Sequence, residues 1–213
     1  MPSSLSIPVE IVEANSGSAF RKRRRALLFA AVGVGLWVVS ASAWIGDPMS
    51  ASSFSVGLVL VAVGFGFRVW VSTYQAGHKN KDLITQGPYS LCRNPMYLSN
   101  IVGGLGAALA TETITIPVLF LMVCLLHYRR VIANEEANLL RIHGAAYEAY
   151  KAVTPRLIPS LKGFSQPDEY LVRVRSLAAK LPLAVFPILA VAVIVFVSAL
   201  HADGLLPVLL KIY

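Results

Sequence analysis

The sequence predicts an all-α, polytopic membrane protein with about five transmembrane helices, and three observations support this fold class. Of the 213 residues, 56% are hydrophobic and only 14% are charged, whereas a soluble domain carries about 25% charged residues. The apolar residues come in blocks close to the ~20 residues that a helix needs to cross a bilayer. The basic residues collect on one side of these blocks. The composition also excludes a disordered, collagenous or coiled-coil chain.

Three apolar blocks have the length of a membrane-spanning helix, namely residues 26–45, 54–74 and 181–200. Two shorter blocks, residues 97–110 and 114–128, are separated only by a short polar turn, which predicts a helical hairpin. The first block is too long for the apolar part of a secretory signal peptide, which has about 7–15 residues, and further spans follow it. We therefore interpret it as a membrane helix.

Membrane topology explains the net charge of +8. With five spans, 18 of the 19 Lys and Arg residues lie on one side, and only Lys211 lies on the other. Because Lys and Arg collect on the cytoplasmic side of membrane proteins, we expect the N-terminus to be cytoplasmic. Such a basic surface is expected to bind anionic lipid headgroups, and nucleic acid is not expected as a partner.

The spacings that mark metal and nucleotide sites in soluble enzymes are missing from the sequence. The histidines form no HxxxH or HExxH pattern and the two cysteines form no CxxC pattern, so no metal site is expected. The glycine-rich stretch at residues 103–106 follows no strand and lies in an apolar block. Because Ser99, Gly103 and Ala107 are spaced four apart, this stretch favours close packing of membrane helices.

Polar residues concentrate in two segments, and the first is KDLITQGPYSLCRNPMYLS at residues 81–99. Its Gly-Pro and Asn-Pro steps predict a tight turn that ends one helix and begins the next. A turn explains the glycine and the prolines. It does not explain why Tyr89, Arg93, Asn94 and Tyr97 crowd the same short connection.

The second segment is RRVIANEEANLLRIHGAAYEAY at residues 129–150, and it predicts a helical continuation of the fourth span. On this helix Arg129 and Glu136 share a face, whereas Glu135 and Glu136 diverge by about 100°. We therefore expect at most one of the two carboxylates to point squarely into a common site. A solvated helix extension is the alternative interpretation. Because the hairpin returns the chain to the side on which it started, both segments should form one polar pocket at the membrane surface.

In these two segments the sequence resembles the integral-membrane methyltransferases that include isoprenylcysteine carboxyl methyltransferase and the phospholipid N-methyltransferases. The family pattern is G-x-Y-x-x-x-R-[HN]-P-x-Y-x-G, a helical hairpin, then E-E-x-x-L and F-G-x-x-Y-x-x-Y with a Pro-ended tail. The matching residues are Gly87, Tyr89, Arg93, Asn94, Pro95, Tyr97, Glu135, Glu136, Leu139, Gly144, Tyr147, Tyr150 and Pro159. Lys81 and Asn94 stand where the eukaryotic carboxyl methyltransferases have His, so the chain is closer to bacterial members.

This resemblance implies an S-adenosylmethionine-dependent methyltransferase whose lipophilic acceptor, an isoprenylcysteine-type carboxylate or a phospholipid amine, reaches the site from the bilayer. The residues that it implies in cofactor binding are Lys81, Gly87, Tyr89, Arg93, Asn94, Pro95, Tyr97, Glu135 and Glu136. The residues that it implies in catalysis are Glu136, Arg129 and Arg156. It also implies a bacterial inner membrane, with the active site on the cytoplasmic side.

The nature of the acceptor decides which side chains the reaction needs. A carboxylate acceptor needs an Arg to position it, and Arg93, Arg129 and Arg156 are candidates. An amine acceptor must lose a proton, for which a Glu or Tyr base is suitable. Both sets are present, so the identity of the acceptor stays open.

Arg68, near the inner end of the second span, either extends to the headgroups or faces the pocket.

With this resemblance the chain divides into four regions. We expect a basic cytoplasmic tail at residues 1–25 and the first two transmembrane helices at residues 26–74. The catalytic region is expected at residues 75–180 and includes the helical hairpin at residues 96–130. Residues 181–213 are expected to form the last transmembrane helix and a tail.

Two other functions are compatible with the sequence. Sterol reductases share part of this fold and use a nicotinamide cofactor, although the compact chain and the intact pair of glutamates argue against a reductase. The other alternative is a non-catalytic membrane protein whose basic surface binds anionic lipid. Binding of S-adenosylhomocysteine or of NADPH would separate the three functions.

Overall fold

The computed structural model describes residues 40–42, 48–76 and 82–212. These residues form helices and one pair of very short strands. In chain order the elements are β1 (Ser40–Ser42), α1 (Pro48–Gln75), α2 (Pro88–Leu91), α3 (Pro95–Leu109), α4 (Thr115–His143), α5 (Ala145–Val153), α6 (Val174–Ala178), α7 (Leu181–Ala202) and β2 (Leu210–Ile212). The predicted all-α membrane fold class is confirmed.

Three of the described helices are long and apolar enough to cross a membrane: α1, α4 and, over residues 184–202, α7. In each of these helices, at most 28% of the most apolar 18-residue stretch is buried inside the protein. Most of the apolar side chains of this stretch are therefore left to face lipid. The prediction of five spans is too high for the described residues. Helix α3 has 15 residues, fewer than the ~20 that a bilayer requires.

The predicted first span, residues 26–45, lies outside the described residues except for β1. There the prediction of a helix is wrong, because Ser40–Ser42 pairs in parallel with Leu210–Ile212. Serine side chains compete with helical hydrogen bonds, and Ser42 Oγ donates to the Glu112 carbonyl at 2.6 Å. The strand pair therefore lies beside the turn between α3 and α4.

Small residues bring α1 and α3 into close contact, and α3 also packs against α4 and α7. A Cβ atom added to Gly64 would lie 2.5 Å from the backbone nitrogen of Gly103. One added to Gly106 would lie 2.6 Å from the carbonyl oxygen of Gly57. The predicted role of the glycine-rich stretch in helix packing is confirmed, since neither backbone could approach so closely with larger side chains.

The hairpin of α3 and α4 places the two polar segments at the same end of the molecule. The second segment continues α4 without a break to His143, as predicted, and Gly144 with φ 51° ends the helix. After α5, the chain passes over α2, because Ser160 N–H donates to the Leu91 carbonyl at 2.9 Å. This return segment, residues 154–165, completes the site described below.

Candidate functional site

Glu136 joins the two polar segments. Its Oε1 accepts hydrogen bonds from Arg93 Nε at 3.1 Å and Asn94 Nδ2 at 3.0 Å, and its Oε2 lies 3.2 Å from Arg156 Nε. The side chains of Arg93 and Glu136 are 9% and 13% exposed. Because both charges are largely removed from water, each depends on the other for compensation. Glu136 therefore holds the turn before α3, helix α4 and the return segment together.

Glu135 contacts the first segment at Tyr97, three residues after Asn94. Its Oε2 accepts a hydrogen bond from the Tyr97 hydroxyl at 2.5 Å, and the Tyr97 ring lies 4.9 Å from the ring of Tyr128. Both carboxylates thus face residues 93–97, whereas the sequence predicted that at most one would point squarely into the common site. The segment is non-helical over residues 92–94 and helical from Pro95 onward, so it is long enough to meet two side chains that diverge on α4.

Backbone carbonyls of α5 and of the return segment hold the first segment in place. Arg93 donates through one terminal nitrogen to the carbonyls of Lys151 at 3.1 Å and Thr154 at 2.7 Å. The Arg93 backbone N–H donates to the Pro155 carbonyl at 2.8 Å, and Asn94 Nδ2 donates to the Arg156 carbonyl at 3.0 Å. Sequence reasoning missed these acceptors, because a backbone carbonyl has no side-chain signal.

Asn94 and Pro95 begin α3 in an unusual way. Pro95 occupies the first helical turn, where its missing N–H costs nothing. Asn94 is the N-cap residue, yet its side chain makes no capping hydrogen bond because it is turned toward Glu136 and the return segment. The side chain that could have stabilised the helix end is instead part of the site.

Gly87 and Tyr89 form the layer behind this site. Gly87 has φ 61° and is buried, and a Cβ atom there would overlap the ring of Tyr74. The Tyr89 hydroxyl accepts a hydrogen bond from Gln75, and its carbonyl accepts one from the Tyr150 hydroxyl at 2.7 Å. Burial raises the pKa of Tyr89 and of Tyr150, so both phenols stay protonated. Sequence reasoning missed Gln75 as part of this layer. The only feature that could have indicated it is that a polar residue ends an apolar helix.

The remaining predicted residues lie at the edge or beyond the described part. Lys81 lies outside the described residues. Arg129 is exposed on α4 and is not hydrogen-bonded or ion-paired to any described residue. The Arg156 side chain is 44% exposed. The structure therefore brings Arg93, Asn94, Tyr97, the two glutamates and Arg156 together, and it leaves Arg129 apart.

Two polar groups of the site are open to a ligand. No described residue hydrogen-bonds to Oε1 of Glu135, and the terminal guanidinium nitrogens of Arg156 are likewise without a partner in the described ranges. A carboxylate oxygen can accept from hydroxyl groups, and a guanidinium can donate to a carboxylate or phosphate. Across the described residues no group of three or more His, Cys, Asp or Glu side chains could hold a metal ion.

The fold and the site define a class: a helical integral-membrane protein with a polar, carboxylate-containing site at one end of its helices. Residues 52–146 match the family described as phospholipid methyltransferase. This match includes most of α1, the whole first polar segment and both glutamates. The resemblance predicted from the motifs is confirmed for this part of the chain.

Three relatives match parts of the chain. A nickel-cobalt-cadmium resistance protein of Alcaligenes xylosoxydans xylosoxydans is 36% identical over 135 residues, 63% of either chain. A cobalt-zinc-cadmium resistance protein of Cupriavidus metallidurans is 32% identical over 135 residues, 63% of this chain and 62% of the relative. The protein-S-isoprenylcysteine O-methyltransferase of Schizosaccharomyces pombe is 33% identical over 86 residues, 39% of this chain and 36% of that enzyme. The chain thus spans less than two thirds of each relative, and no solved structure matches it.

Proposed function

We propose that the chain is an S-adenosylmethionine-dependent methyltransferase that acts on a lipophilic acceptor, either an isoprenylcysteine-type carboxylate or a phospholipid amine. The observation that carries this proposal is the Glu136 centre. It ties the Arg-Asn-Pro turn to the paired glutamates through contacts of 3.1 and 3.0 Å to Glu136, and these are the two motifs that the chain shares with the family. We place the site on the cytoplasmic side of a bacterial inner membrane, because the basic residues collect there.

The groups left open at the site match the parts of S-adenosylmethionine. The terminal nitrogens of Arg156 could bind the carboxylate of its methionine part, and Oε1 of Glu135 could accept from a ribose hydroxyl. The paired rings of Tyr97 and Tyr128 offer an apolar surface for the adenine. When bound, this cofactor supplies an electrophilic methyl group on a sulfonium centre. The other predicted cofactor residues, Lys81 excepted, hold this surface in shape.

The chain itself contributes alignment and exclusion of water. Methyl transfer is an in-line displacement, so holding the two reactants in line accounts for much of the rate. The ion-paired and hydrogen-bonded scaffold around Glu136 fixes the start of α3, where Tyr97 lies. For an amine acceptor, the Tyr97 hydroxyl, which donates to Oε2 of Glu135, is the group through which the proton could pass to that carboxylate. For a carboxylate acceptor no base is needed, since it is already ionised at neutral pH.

The first experiment compares Glu135→Gln with Glu136→Gln, two isosteric changes at adjacent positions. Glu136→Gln leaves Arg93 buried without its counter-charge, so it should lower the unfolding temperature in detergent as well as S-adenosylhomocysteine binding. Glu135→Gln should weaken that binding by about 1–3 kcal/mol, the range for a hydrogen bond to a charged group, with the unfolding temperature unchanged. If calorimetry finds no binding of S-adenosylhomocysteine to the native protein, the proposal is wrong, and NADPH binding would instead favour a reductase.

The second experiment identifies the product. Membranes that contain the protein are incubated with S-adenosylmethionine carrying a radiolabelled methyl group, and lipids and prenylated peptides are extracted into organic solvent. We expect label in the organic phase from the native protein and a loss of it with Glu135→Gln. Label found only in water-soluble products would contradict a lipophilic acceptor.

A further inference from the structure

Arg68 is a buried cation for which the described part of the chain supplies no anion. It lies on α1, seven residues before the end of that helix at Gln75, which is about 10 Å at 1.5 Å per residue. The residue is 8% exposed. Its terminal nitrogen donates to the Met96 carbonyl at 3.4 Å and to Asn100 Oδ1 at 3.2 Å, and its Nε atom is buried without a hydrogen-bond partner. Arg68 therefore faces the protein interior.

Such an arrangement is costly unless a further group completes it. A buried charge needs a counter-charge and full hydrogen bonding, and ionisable residues within membrane helices commonly mark the paths of substrates or ions. The two acceptors of Arg68 are neutral, and none of the described carboxylates forms an ion pair with it. Glu136 already compensates the other buried cation, Arg93.

The place of Arg68 connects it to the site. Asn100 accepts from Arg68 and donates to the Tyr128 hydroxyl at 3.4 Å, so α1 and α4 are linked across α3. Tyr128 packs on Tyr97, which bonds to Glu135. Around this polar row the outward surfaces of α1 and α4 are apolar, with Val63 and Leu126 more than half exposed. A group that reaches Arg68 between these helices can keep its tail in lipid.

We propose that Arg68 is a substrate-binding residue that receives the anionic group, a carboxylate or a phosphate, of a membrane-embedded acceptor. This inference rests on the proposed methyltransferase function and names the acceptor's recognition group. The anion would supply the acceptor that Nε lacks, and Asn100 would hold the guanidinium toward it. Burial of the acceptor's tail gives little free energy relative to lipid, so this headgroup contact carries much of the selectivity.

The test uses the full-length protein in a non-ionic detergent and two pairs of probes. N-acetyl-S-farnesylcysteine and its methyl ester differ by a carboxylate charge, and dihexanoyl phosphatidate and dihexanoylglycerol differ by a phosphate. We expect the native protein to bind at least one anionic probe roughly 10- to 100-fold more tightly than its neutral partner, as for a hydrogen bond to a charged group. A preference within the farnesylcysteine pair identifies the anionic group of the acceptor as a carboxylate. A preference within the phosphatidate pair identifies it as the phosphate of a phospholipid.

Arg68→Gln should reduce this preference to within about twofold, and Asn100→Asp should do the same by placing a carboxylate beside the guanidinium. Asn100→Asp supplies an internal ion pair, so it tests the inference even if Arg68→Gln fails to fold. Arg130→Gln, at an exposed position on α4, is the matched control and should keep the preference. S-adenosylhomocysteine binding should be unchanged in Arg68→Gln and Arg130→Gln, because neither side chain is hydrogen-bonded to Tyr97, Tyr128 or Glu135 among the described residues.

Two results would overturn the inference. One is a native protein that prefers neither anionic probe. The other is a folded Arg68→Gln or Asn100→Asp variant that keeps the full preference of the native protein. Failure of the proposed function gives a different result: an anionic preference that depends on Arg68, without any binding of S-adenosylhomocysteine or transfer of methyl groups.

Discussion

At the scale of single residues, the turn before α3 contains a thiol that the structure protects. Cys92 is completely buried, and burial raises the pKa of its thiol to about 11. Because the thiolate is the reactive form, we expect Cys92 in the folded protein to resist N-ethylmaleimide at pH 8. The measurement uses Cys124→Ala, which leaves Cys92 as the single thiol of the chain, and follows labelling by mass spectrometry.

The raised pKa of the Cys92 thiol also determines how the stability of the fold and the labelling of this thiol depend on pH. The folded state holds the thiol proton more tightly than the unfolded state does, so this group stabilises the fold below about pH 9, and its contribution is lost as the pH rises toward about 11. Labelling should therefore accelerate over that interval and be complete in denaturant. A cysteine at the exposed position 162, made by Lys162→Cys, should react at pH 8 and serves as the control. Equal labelling of both positions at pH 8 would show that the turn is open.

Residue types and spacings predicted much of the site. The Arg-Asn-Pro turn and the paired glutamates were singled out because charged and amide side chains next to a membrane span need partners, and Arg93 and Asn94 both donate to Glu136. The sequence could not predict that Glu135 meets the same turn. That contact depends on the path of the backbone before Pro95, which side-chain periodicity does not contain.

At the scale of elements, the contact of α1 with α3 depends on glycine. A Cβ atom at Gly64 would lie 2.5 Å from the backbone of α3, whereas one at Gly66 has nothing within 4 Å. Gly64→Leu should therefore lower the stability of the folded protein by at least about 1–3 kcal/mol, as expected for an overpacked contact. Gly66→Leu should be tolerated within about 0.5 kcal/mol. Thermal unfolding in detergent measures both, and equal unfolding temperatures would contradict the close contact.

Hydropathy predicted the helices better than it predicted their ends. The apolar blocks at residues 54–74 and 181–200 fall within α1 and α7. The block that begins at residue 114 ends at residue 128, but α4 continues for another fifteen residues. These residues are helical and rich in polar side chains, and hydropathy detects only apolar residues. The strand pairing of Ser40–Ser42 with Leu210–Ile212 joins residues far apart in sequence, and no local pattern indicates it.

At the scale of the whole molecule, the distribution of charge predicts the orientation in the membrane. One end of the helices holds the site and most of the described Lys and Arg residues, whereas Arg68 lies within α1 and Lys211 pairs in β2 at the other end. By the positive-inside rule the end with the site should be cytoplasmic. Asp203, just after α7, and Lys162, in the return segment, are both exposed and lie at opposite ends.

To measure the orientation, the two native thiols are first removed by Cys92→Ala and Cys124→Ala. A single cysteine is then introduced by Asp203→Cys or by Lys162→Cys. In intact cells a membrane-impermeant maleimide should label position 203 directly and position 162 only after the membrane is permeabilised. Labelling both before and after denaturation corrects for burial, since a shielded thiol reacts only when the chain unfolds. If position 162 reacts in intact cells and position 203 does not, the orientation is reversed, and the site would face the side on which S-adenosylmethionine is not made. That outcome would contradict both the topology and the proposed cofactor with one experiment.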